Sequence, residues 1–600
     1  MAAHRERTAS VPRLPRLTAA LSAAVLLGTL TPAATAEPLA STVPVQLLSI
    51  TDLHGYFGEY TATVRPTAGA PAETVGGGAY LATHLDRLRE GERNSILFSA
   101  GDDFSGWPDE TEWFWNEPTV EYLNRIGLDF STVGNHEMDR GIEFLRHMMD
   151  GTCEGRPDDD LCFTDSTGRR FRGADYEYYS ANMVREHTAS PVVRPYHVEY
   201  VDAGGGRKLP VGFVHTATSL TSSEQMSYTP RGIEYLPEAG PINAYAKILR
   251  RQGVSAIVAV VHEGFSQRGG AGYNDCDSPS GPVVELNEQI DPAVDAIVTG
   301  HWHAQVNCML PDPAGNPRPV VEAGDAGKLI NEIELRLDAR TGEVVRELTR
   351  SVNHPNTRDV PPDPEILGMT AYWKERLAER ANTPVATVPE DLTRTRGAAG
   401  ESNLYNLTAD AFLWAARRDG RADLAVAMPD ILRRDVTHAA AAGSPADADG
   451  RVLFSELAVG TVYDSGIGVG LVRGSVKGRQ LDELIESQWQ RAADGSVTFR
   501  PLAFSGNVRY TYDLAKPVGS RVDPGDVRLD GRPLRPNADY RIATLANNFF
   551  AKNATPGFTA LFTARNQDRS SFNGGDALWR YLEARSPVSA PEPGRMAPAS

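Results

Sequence analysis

The 600-residue chain has few cysteines, no excess of positive charge and no apolar run long enough to cross a membrane. Four cysteines exclude a disulfide-dense scaffold. Sixty Lys and Arg against 78 Asp and Glu give a net charge of −18, which argues against general nucleic-acid binding because phosphate backbones need a basic footprint. No repeat of about 20–50 residues is visible, so a solenoid or propeller is not expected. A content of 41 % hydrophobic and 23 % charged residues is typical of a soluble globular protein with two or more domains.

The first 36 residues, 1–36, are predicted to be a signal peptide. Arginines precede an apolar run from Leu17 to Leu30, and Ala34-Thr35-Ala36 is a small-residue cleavage site. Because this run is too short to span a bilayer, we expect cleavage after Ala36 and a secreted, extracellular protein without a membrane anchor. A membrane anchor formed by the same segment is the alternative. The Pro- and Ala-rich tail, 587–600, is expected to be disordered.

The four cysteines form an even set that can pair in the oxidising compartment to which an exported protein is sent. Cys153 and Cys162 close a short loop, whereas Cys276 and Cys308 flank a longer segment. Pairing by proximity in the sequence predicts the disulfides Cys153–Cys162 and Cys276–Cys308, one of three possible connectivities.

Two regions of the chain differ in their pattern of apolar residues. Between 45 and 346, short apolar runs alternate with helical stretches, which is typical of strands buried on both faces in a layered α/β domain. A Pro- and charge-rich stretch and a helical pattern over 364–381 follow. We therefore predict a first domain over 37–350, a helical linker over 351–385 and a mixed α+β second domain over 386–586.

Polar residues directly follow five of the apolar runs. They are Asp52 and His54 in DLHG, Asp102 in GDDFSG, Asn135 in GNHEMDRG, His262 in HEG, and His301 and His303 in GHWH. Because the carboxyl ends of strands meet along one edge of a layered α/β domain, we expect these side chains to form one site. Oxygen and nitrogen donors without a thiolate favour Mn, Zn, Co, Fe or Mg, and seven ligands are enough for two ions with one bridging carboxylate. Each motif alone is weak, but the five in this order indicate a site for two divalent metal ions.

Taken together, DLHG, GDDFSG, GNHEMDRG, HEG and GHWH resemble the signature of the calcineurin-like metallophosphatases. GNHEMDRG and the order of the domains resemble the secreted bacterial 5′-nucleotidase and UDP-sugar hydrolase branch. The resemblance implies a layered β-sandwich flanked by helices, joined by a helical linker to a 5′-nucleotidase-type C-terminal domain. It also implies a secreted dinuclear-metal phosphoesterase that hydrolyses phosphate esters of nucleotides by in-line attack of a metal-bound hydroxide.

The resemblance gives each site residue a role. The residues implied to bind metal are Asp52, His54 and His303 for the first ion, Asn135, His262 and His301 for the second, and Asp102 as the bridge. His136 would stabilise or protonate the departing oxygen, and Asp139 would orient the imidazole ring of His136.

The C-terminal part departs from this branch. Where the branch has an Asn-Gly-Gly-Gly-Ile-Arg-like loop, the chain reads MPDILR and keeps only the arginine, Arg433. The segment 466–469 stands in place of a base-stacking Phe, and Phe549 or Phe550 is the candidate for the other stacking face, with core packing as the alternative for both. A small phosphorylated molecule is therefore the expected substrate, but a preference for nucleoside monophosphates is poorly supported.

Two other interpretations stay open at the level of the sequence. The same chemistry could act on a non-nucleotide phosphomonoester, or on a phosphodiester or cyclic nucleotide. The chain could also be a non-catalytic secreted binding protein on the same fold, although that interpretation predicts decay of a ligand set that is in fact complete. The sequence leaves the identity of the metal and the oligomeric state open.

Overall fold

The structure is a computed structural model that describes residues 41–105, 108–153, 161–221, 232–440, 448–458, 470–492, 494–549 and 557–599. Contacts within it group Thr42–Ser600 into one compact unit. The predicted signal peptide, 1–36, lies outside the described residues. None of the helices in the described ranges combines the length and the apolar character needed to cross a bilayer.

The N-terminal half, 42–355, is built on two six-stranded sheets. Its strands are β1 Thr42–Ile50, β2 Ala62–Val64, β3 Glu73–Val75, β4 Ser95–Ser99, β5 Phe130–Thr132, β6 Glu177–Tyr179, β7 Met183–Arg185, β8 Tyr196–Gly204, β9 Arg207–Ala217, β10 Ile233–Tyr235, β11 Ala256–His262, β12 Ala296–Thr299, β13 Gln305–Pro311, β14 Pro317–Ala323, β15 Leu329–Asp338 and β16 Arg350–Pro355. Its helices are α1 Gly78–Arg89, α2 Asp109–Glu112, α3 Glu117–Arg125, α4 Ile142–Asp150, α5 Ala239–Arg251 and α6 Pro282–Gln289. The strand order is β16-β15-β1-β4-β5-β6 in the first sheet and β13-β14-β12-β11-β9-β8 in the second.

The two sheets face each other, and helices cover their outer faces. In β1, Val45 and Leu47 belong to the core between the sheets, whereas Leu48 and Ile50 point to the other side, into a cluster shared with α1 and α3. This alternation follows from the two-residue period of side chains along a strand. Helices α5 and α6 pack on the second sheet in the same way. The predicted helix-flanked β-sandwich is therefore confirmed.

A long helix, α7 Pro364–Ala381, connects the two halves and spans the residues of the predicted helical pattern. Asp363 caps it by accepting a 2.8 Å hydrogen bond from the backbone N–H of Ile366, and Pro364 occupies the first turn, where a missing N–H is tolerated. Strand β16 pairs with β15 as far as Pro355, so the sheet extends five residues into the segment predicted as a linker.

The C-terminal half, 384–599, is the α+β fold that the sequence predicted. Its strands are β17 Pro384–Thr387, β18 Leu424–Ala427, β19 Arg451–Leu453, β20 Gly470–Lys477, β21 Trp489–Arg491, β22 Val497–Phe499, β23 Ala503–Phe504, β24 Val508–Tyr512, β25 Arg528–Leu529, β26 Arg532–Pro533, β27 Asp539–Leu545, β28 Arg565–Asn573 and β29 Met596–Pro598. Its helices are α8 Asn403–Arg418, α9 Phe454–Ala458, α10 Gly478–Glu486 and α11 Gly574–Arg585. A five-stranded sheet of order β23-β18-β27-β20-β28 and a four-stranded sheet of order β26-β25-β24-β29 organise this half.

The prediction of a disordered tail over 587–600 is wrong for the residues that the structure describes. Strand β29 pairs in parallel with β24, so that Met596 lies opposite Tyr510. Arg595 is buried and donates to the backbone carbonyls of Asn406, at 2.9 Å, and Phe504, at 2.7 Å. A Pro- and Ala-rich composition lowers the local preference for structure, but it does not reveal a long-range ion pair or strand partner.

Both predicted disulfides are formed, Cys153–Cys162 and Cys276–Cys308. The second joins β13 to the loop that precedes α6, at the border of the second sheet. No free cysteine is found in the described part of the chain.

Candidate metal centre

The seven predicted metal ligands lie at one edge of the two sheets, at strand ends and in the loops that follow them. Strands β1, β4 and β5 are parallel neighbours, as are β11 and β12, so their carboxyl ends emerge on the same side. The ligands at these ends are Asp52, His54, Asp102, Asn135, His262, His301 and His303. His262 Nδ1 donates a 2.8 Å hydrogen bond to the Ala100 carbonyl and so connects the two sheets at this edge.

The first group of ligand atoms comes from Asp52, His54 and His303, whose ligand atoms lie within 4.8 Å of one another. His54 Nε2 is 3.1 Å from His303 Nε2, and His303 Nε2 is 3.4 Å from Asp52 Oδ1. Asp52 and His54 are fully buried. Two imidazole nitrogens and a carboxylate oxygen therefore converge on one point.

The second group comes from Asp102, His262 and His301, again with ligand atoms within 4.8 Å of one another. His262 Nε2 lies 3.0 Å from Asp102 Oδ2 and 3.1 Å from Asn135 Oδ1. The structure thus brings Asn135 to this group and leaves none of the seven predicted residues elsewhere.

Hydrogen bonds to the backbone orient two of the histidines. His54 Nδ1 is 3.1 Å from the Phe104 carbonyl, and His262 Nδ1 is 2.8 Å from the Ala100 carbonyl. Since a carbonyl only accepts, Nδ1 carries the proton in both rings, and the Nε2 of each faces the ligand group. This is the outer contact that fixes the tautomer of a metal-binding histidine.

The electrostatics of the two groups suit divalent cations. Burial lowers the pKa of His54 to about 4, which keeps its imidazole neutral and its Nε2 lone pair available. Burial also lowers the pKa of His262, but the Asp102 carboxylate outweighs it and raises that pKa to about 10. Buried carboxylates therefore draw positive charge to the place where the nitrogen and oxygen donors converge. Such donors without a thiolate fit borderline or hard divalent ions.

The backbone of five ligands is held in the left-handed region. The φ angles are 49° at Asp52, 47° at His54, 54° at Asp102, 78° at His301 and 57° at His303. Residues with a side chain occupy this region at a cost of about 1–3 kcal/mol each, and they cluster where function over-determines the geometry. Backbone bonds from Asp52 N to Gly101 O, at 2.9 Å, and from His54 N to Asp102 O, at 3.0 Å, hold two of these turns together.

His136 and Asp139 form a hydrogen-bonded pair beside the first group. His136 Nδ1 is 2.6 Å from Asp139 Oδ2, and the side chain of Asp139 is 1 % exposed against 18 % for His136. Burial lowers the pKa of His136, but Asp139, with help from Asp102, outweighs it and raises the pKa to about 10. The His136 ring lies 5.2 Å from that of His54, so this hydrogen-bonded imidazole borders the ligand groups.

Two carboxylates that the sequence motifs did not single out support the candidate ligands. The buried carboxylate of Glu137 accepts hydrogen bonds from the backbone N–H groups of Asp102, Asp103 and Gly134 at 2.6–2.9 Å. Asp325 lies 4.0 Å from His303 Nδ1, on the side away from the ligand group. Glu137 stands next to His136 in the sequence, which could have indicated a role at the site. Asp325 follows β14 outside the five motifs, so nothing in the sequence indicated its contact with His303.

The predicted substrate contacts have different surroundings. Arg433 is exposed on the C-terminal half, so its side chain is accessible from solvent, as substrate binding requires. Phe549 is 2 % exposed and packs so closely on Gly474 that a Cβ there would meet its ring at 2.6 Å. Phe549 is therefore packed in the core in this structure, which agrees with the alternative of core packing for this residue. Phe550 and the 466–469 segment lie outside the described residues.

Comparisons with known proteins agree with this architecture. Residues 45–305 match the calcineurin-like phosphoesterase family, and residues 381–562 match the 5′-nucleotidase, C-terminal domain family. Endonuclease YhcR of Bacillus subtilis is 25 % identical over 510 residues, which cover 85 % of this chain and 37 % of that protein. Cell wall protein Lmo0130 of Listeria monocytogenes is 26 % identical over 574 residues, 90 % of this chain and 67 % of that protein. The structure of Haemophilus influenzae NAD nucleotidase has the same fold, with a TM-score of 0.54, 16 % identity and coverage of 93 % of this chain and 100 % of that one.

The chain belongs to the calcineurin-like phosphoesterase family and carries a 5′-nucleotidase C-terminal domain. The family fold implies that the chain binds divalent metal. Its relatives include a cell-wall protein. The chain spans little more than a third of the Bacillus relative, so the substrates of that larger protein do not transfer to it directly.

Proposed function

We propose that this protein is a secreted phosphoesterase that uses two divalent metal ions to hydrolyse phosphate esters of nucleotides. The observation that carries the proposal is the pair of ligand groups, one around His54 and one around His262, next to the hydrogen-bonded pair of His136 and Asp139. Asp52, His54 and His303 would hold one ion, Asn135, His262 and His301 would hold the other, and Asp102 would be available to both. Such ions polarise a phosphoryl group and activate water for in-line attack.

The chain's own residues supply the proton chemistry. His136 Nδ1 is bound to Asp139, so the Nε2–H of the protonated ring is the donor left for a phosphoryl oxygen or for the departing oxygen. Asp139 keeps the ring in place and favours its charged form. A donor held in this way neutralises charge that develops on the leaving group without any reorganisation during the reaction.

The nucleotide preference and secretion are the finer parts of the proposal. The match of residues 381–562 to a 5′-nucleotidase C-terminal domain and the NAD nucleotidase among the structural neighbours support a nucleotide substrate. The basic and apolar segment over 1–36 supports secretion. The name of the Bacillus relative, an endonuclease, makes a phosphodiester the second candidate substrate.

The test is to express the full chain for export, add Mn and measure phosphate release from AMP and ribose 5-phosphate. Cleavage of UDP-glucose to UMP and glucose 1-phosphate and hydrolysis of a bis-nitrophenyl phosphodiester are assayed in parallel. We expect about two metal ions per chain and the fastest hydrolysis with AMP or UDP-glucose. Asp102→Ala is expected to abolish metal-dependent turnover, whereas Asp175→Ala, at a side chain 57 % exposed, serves as the matched control. Faster hydrolysis of the diester would replace the nucleotide substrate with the second candidate. Absence of both metal and turnover would refute the proposal.

A further inference from the structure

Trp302 is a large apolar side chain exposed beside the metal centre. Its residue is 45 % exposed, and among the described tryptophans it is the one with a largely exposed side chain. It stands between His301 and His303, one from each ligand group. Burial of a Trp ring normally removes about 150–250 Å² of surface from water, so leaving it in solvent forgoes a large stabilisation.

Two glycines lie against the indole of Trp302. A Cβ added at Gly264 would lie 2.1 Å from Cγ of Trp302, and one added at Gly281 would lie 3.0 Å from its Cζ3. Gly264 comes two residues after His262, the last residue of β11. The indole therefore packs on backbone that leaves room only for glycine, and the rest of the residue is exposed, one position along the chain from a candidate ligand of each group.

We propose that the exposed part of the Trp302 indole is a stacking platform for the planar heteroaromatic base of the substrate. This inference rests on the proposed function, since it takes the phosphoryl group to lie between the two ligand groups. The Cα atoms of neighbouring residues are about 3.8 Å apart. The Cα of Trp302 therefore lies at that distance from the Cα of His301 and from the Cα of His303, one candidate ligand of each group. In a nucleotide, a ribose separates phosphorus from the base, and the base is therefore displaced from the ligands by about the width of one sugar. Tryptophan offers the largest π face for such a ring.

Stacking on Trp302 would also let the chain select a base although the ring of Phe549 is not available for stacking. The ring of Phe549 is enclosed in the core of the C-terminal half and contacts Gly474. Trp302 is part of the metal-binding half, so its distance from the phosphoryl site does not depend on the position of the C-terminal half.

The test compares two substrates that differ only in the base, AMP and ribose 5-phosphate. We expect Trp302→Ala to lower the ratio of kcat/KM for AMP to that for ribose 5-phosphate by about 5- to 100-fold, as for loss of one stacked aromatic. Trp302→Phe should restore much of the ratio. Gly264→Ala should lower the ratio as well, because its methyl group displaces the indole. Tyr200→Ala is the matched control, since Tyr200 is 62 % exposed on β8 and lies outside the site.

Metal content is measured for every variant, so that an altered ligand geometry is recognised by loss of metal. A ratio that stays within twofold of wild type in metal-loaded Trp302→Ala overturns the stacking proposal, while turnover of both substrates leaves the proposed function intact. If the wild-type protein hydrolyses neither substrate, the proposed function fails. The stacking proposal is then decided by calorimetric affinities for AMP and ribose 5-phosphate, where the same loss of preference in Trp302→Ala supports it and an unchanged preference overturns it.

Discussion

Glu137 shows how one buried carboxylate can hold two ligand-bearing loops together. It accepts from the backbone of Asp102 and Asp103, which follow β4, and from Gly134, which follows β5. A further bond comes from the Phe104 N–H at 3.3 Å. All these partners are N–H donors, and each would be an unsatisfied buried group without the carboxylate. The separation of Asp102 from Asn135 therefore depends on the charge and shape of this side chain.

Glu137→Gln is expected to weaken metal binding by about 10- to 100-fold, the usual effect of losing an outer contact to a ligand. The glutamine amide presents N–H groups to backbone donors, so at least one loop has to move. The measurement is a Mn titration against a competing chelator, with circular dichroism as the check of folding. Glu143→Gln, at a side chain 74 % exposed, is the control. Wild-type affinity in Glu137→Gln would mean that Glu137 does not position the ligands.

The residues of the site differ in how far the sequence could predict them. Asp52, Asp102 and His262 were predictable because each follows an apolar run, and the topology of parallel strands brings such positions to one edge. Asp325 and Trp302 were not, since the first acts through a contact with His303 and the second through its exposure. Neither a contact across the fold nor a solvent-exposed face is encoded in local spacing.

At the scale of elements, strands buried on both faces were predicted well, and the C-terminal strand was not. β11 is buried along its whole length and apolar up to His262, because both its faces are covered, which leaves a clear local signal. β29 has three residues and no such signal. It is held by Arg595, whose guanidinium donates to Asp410 at 2.6 Å and is 6 % exposed. Its order comes from partners far away in the sequence.

Arg595→Ala is expected to destabilise the protein by about 2–4 kcal/mol, because it removes a buried ion pair with Asp410 and the hydrogen bonds to two backbone carbonyls. Detachment of β29 from β24 should accompany the loss. Chemical denaturation measures the first effect, and hydrogen exchange at Tyr510 and Tyr512 measures the second. Arg585→Ala, at an exposed arginine near the end of α11, is the control. Equal stability of the two variants would show that the tail contributes nothing to the fold.

At the scale of the whole molecule, the two halves share one core. A single cluster of buried apolar residues runs from Leu48 in β1 to Met596 in β29. Phe454 is at the contact, with its ring 5.1 Å from that of Trp113 in the N-terminal half and 5.4 Å from that of Trp579 in the C-terminal half. Arg380 of α7 lies 4.6 Å above the same ring. The sequence predicted two domains and a linker. A sequence pattern alone does not distinguish apolar residues that lie where two domains meet from apolar residues in the core of one domain.

Because the core is continuous, we expect the wild-type protein to unfold in one calorimetric transition, since neither half can open without exposing the other. Phe454→Ala removes the ring that joins the two tryptophans and should cost about 3–5 kcal/mol. It should also separate the unfolding of the halves into two transitions. Phe572→Ala is the matched control, because its ring lies 6.0 Å from Trp414 within the C-terminal half and its loss should lower the transition temperature without dividing the transition. Two well-separated transitions in the wild-type protein would contradict a shared core, and they would indicate that each half is stable alone and that the contact at Phe454 is weak enough to open during turnover.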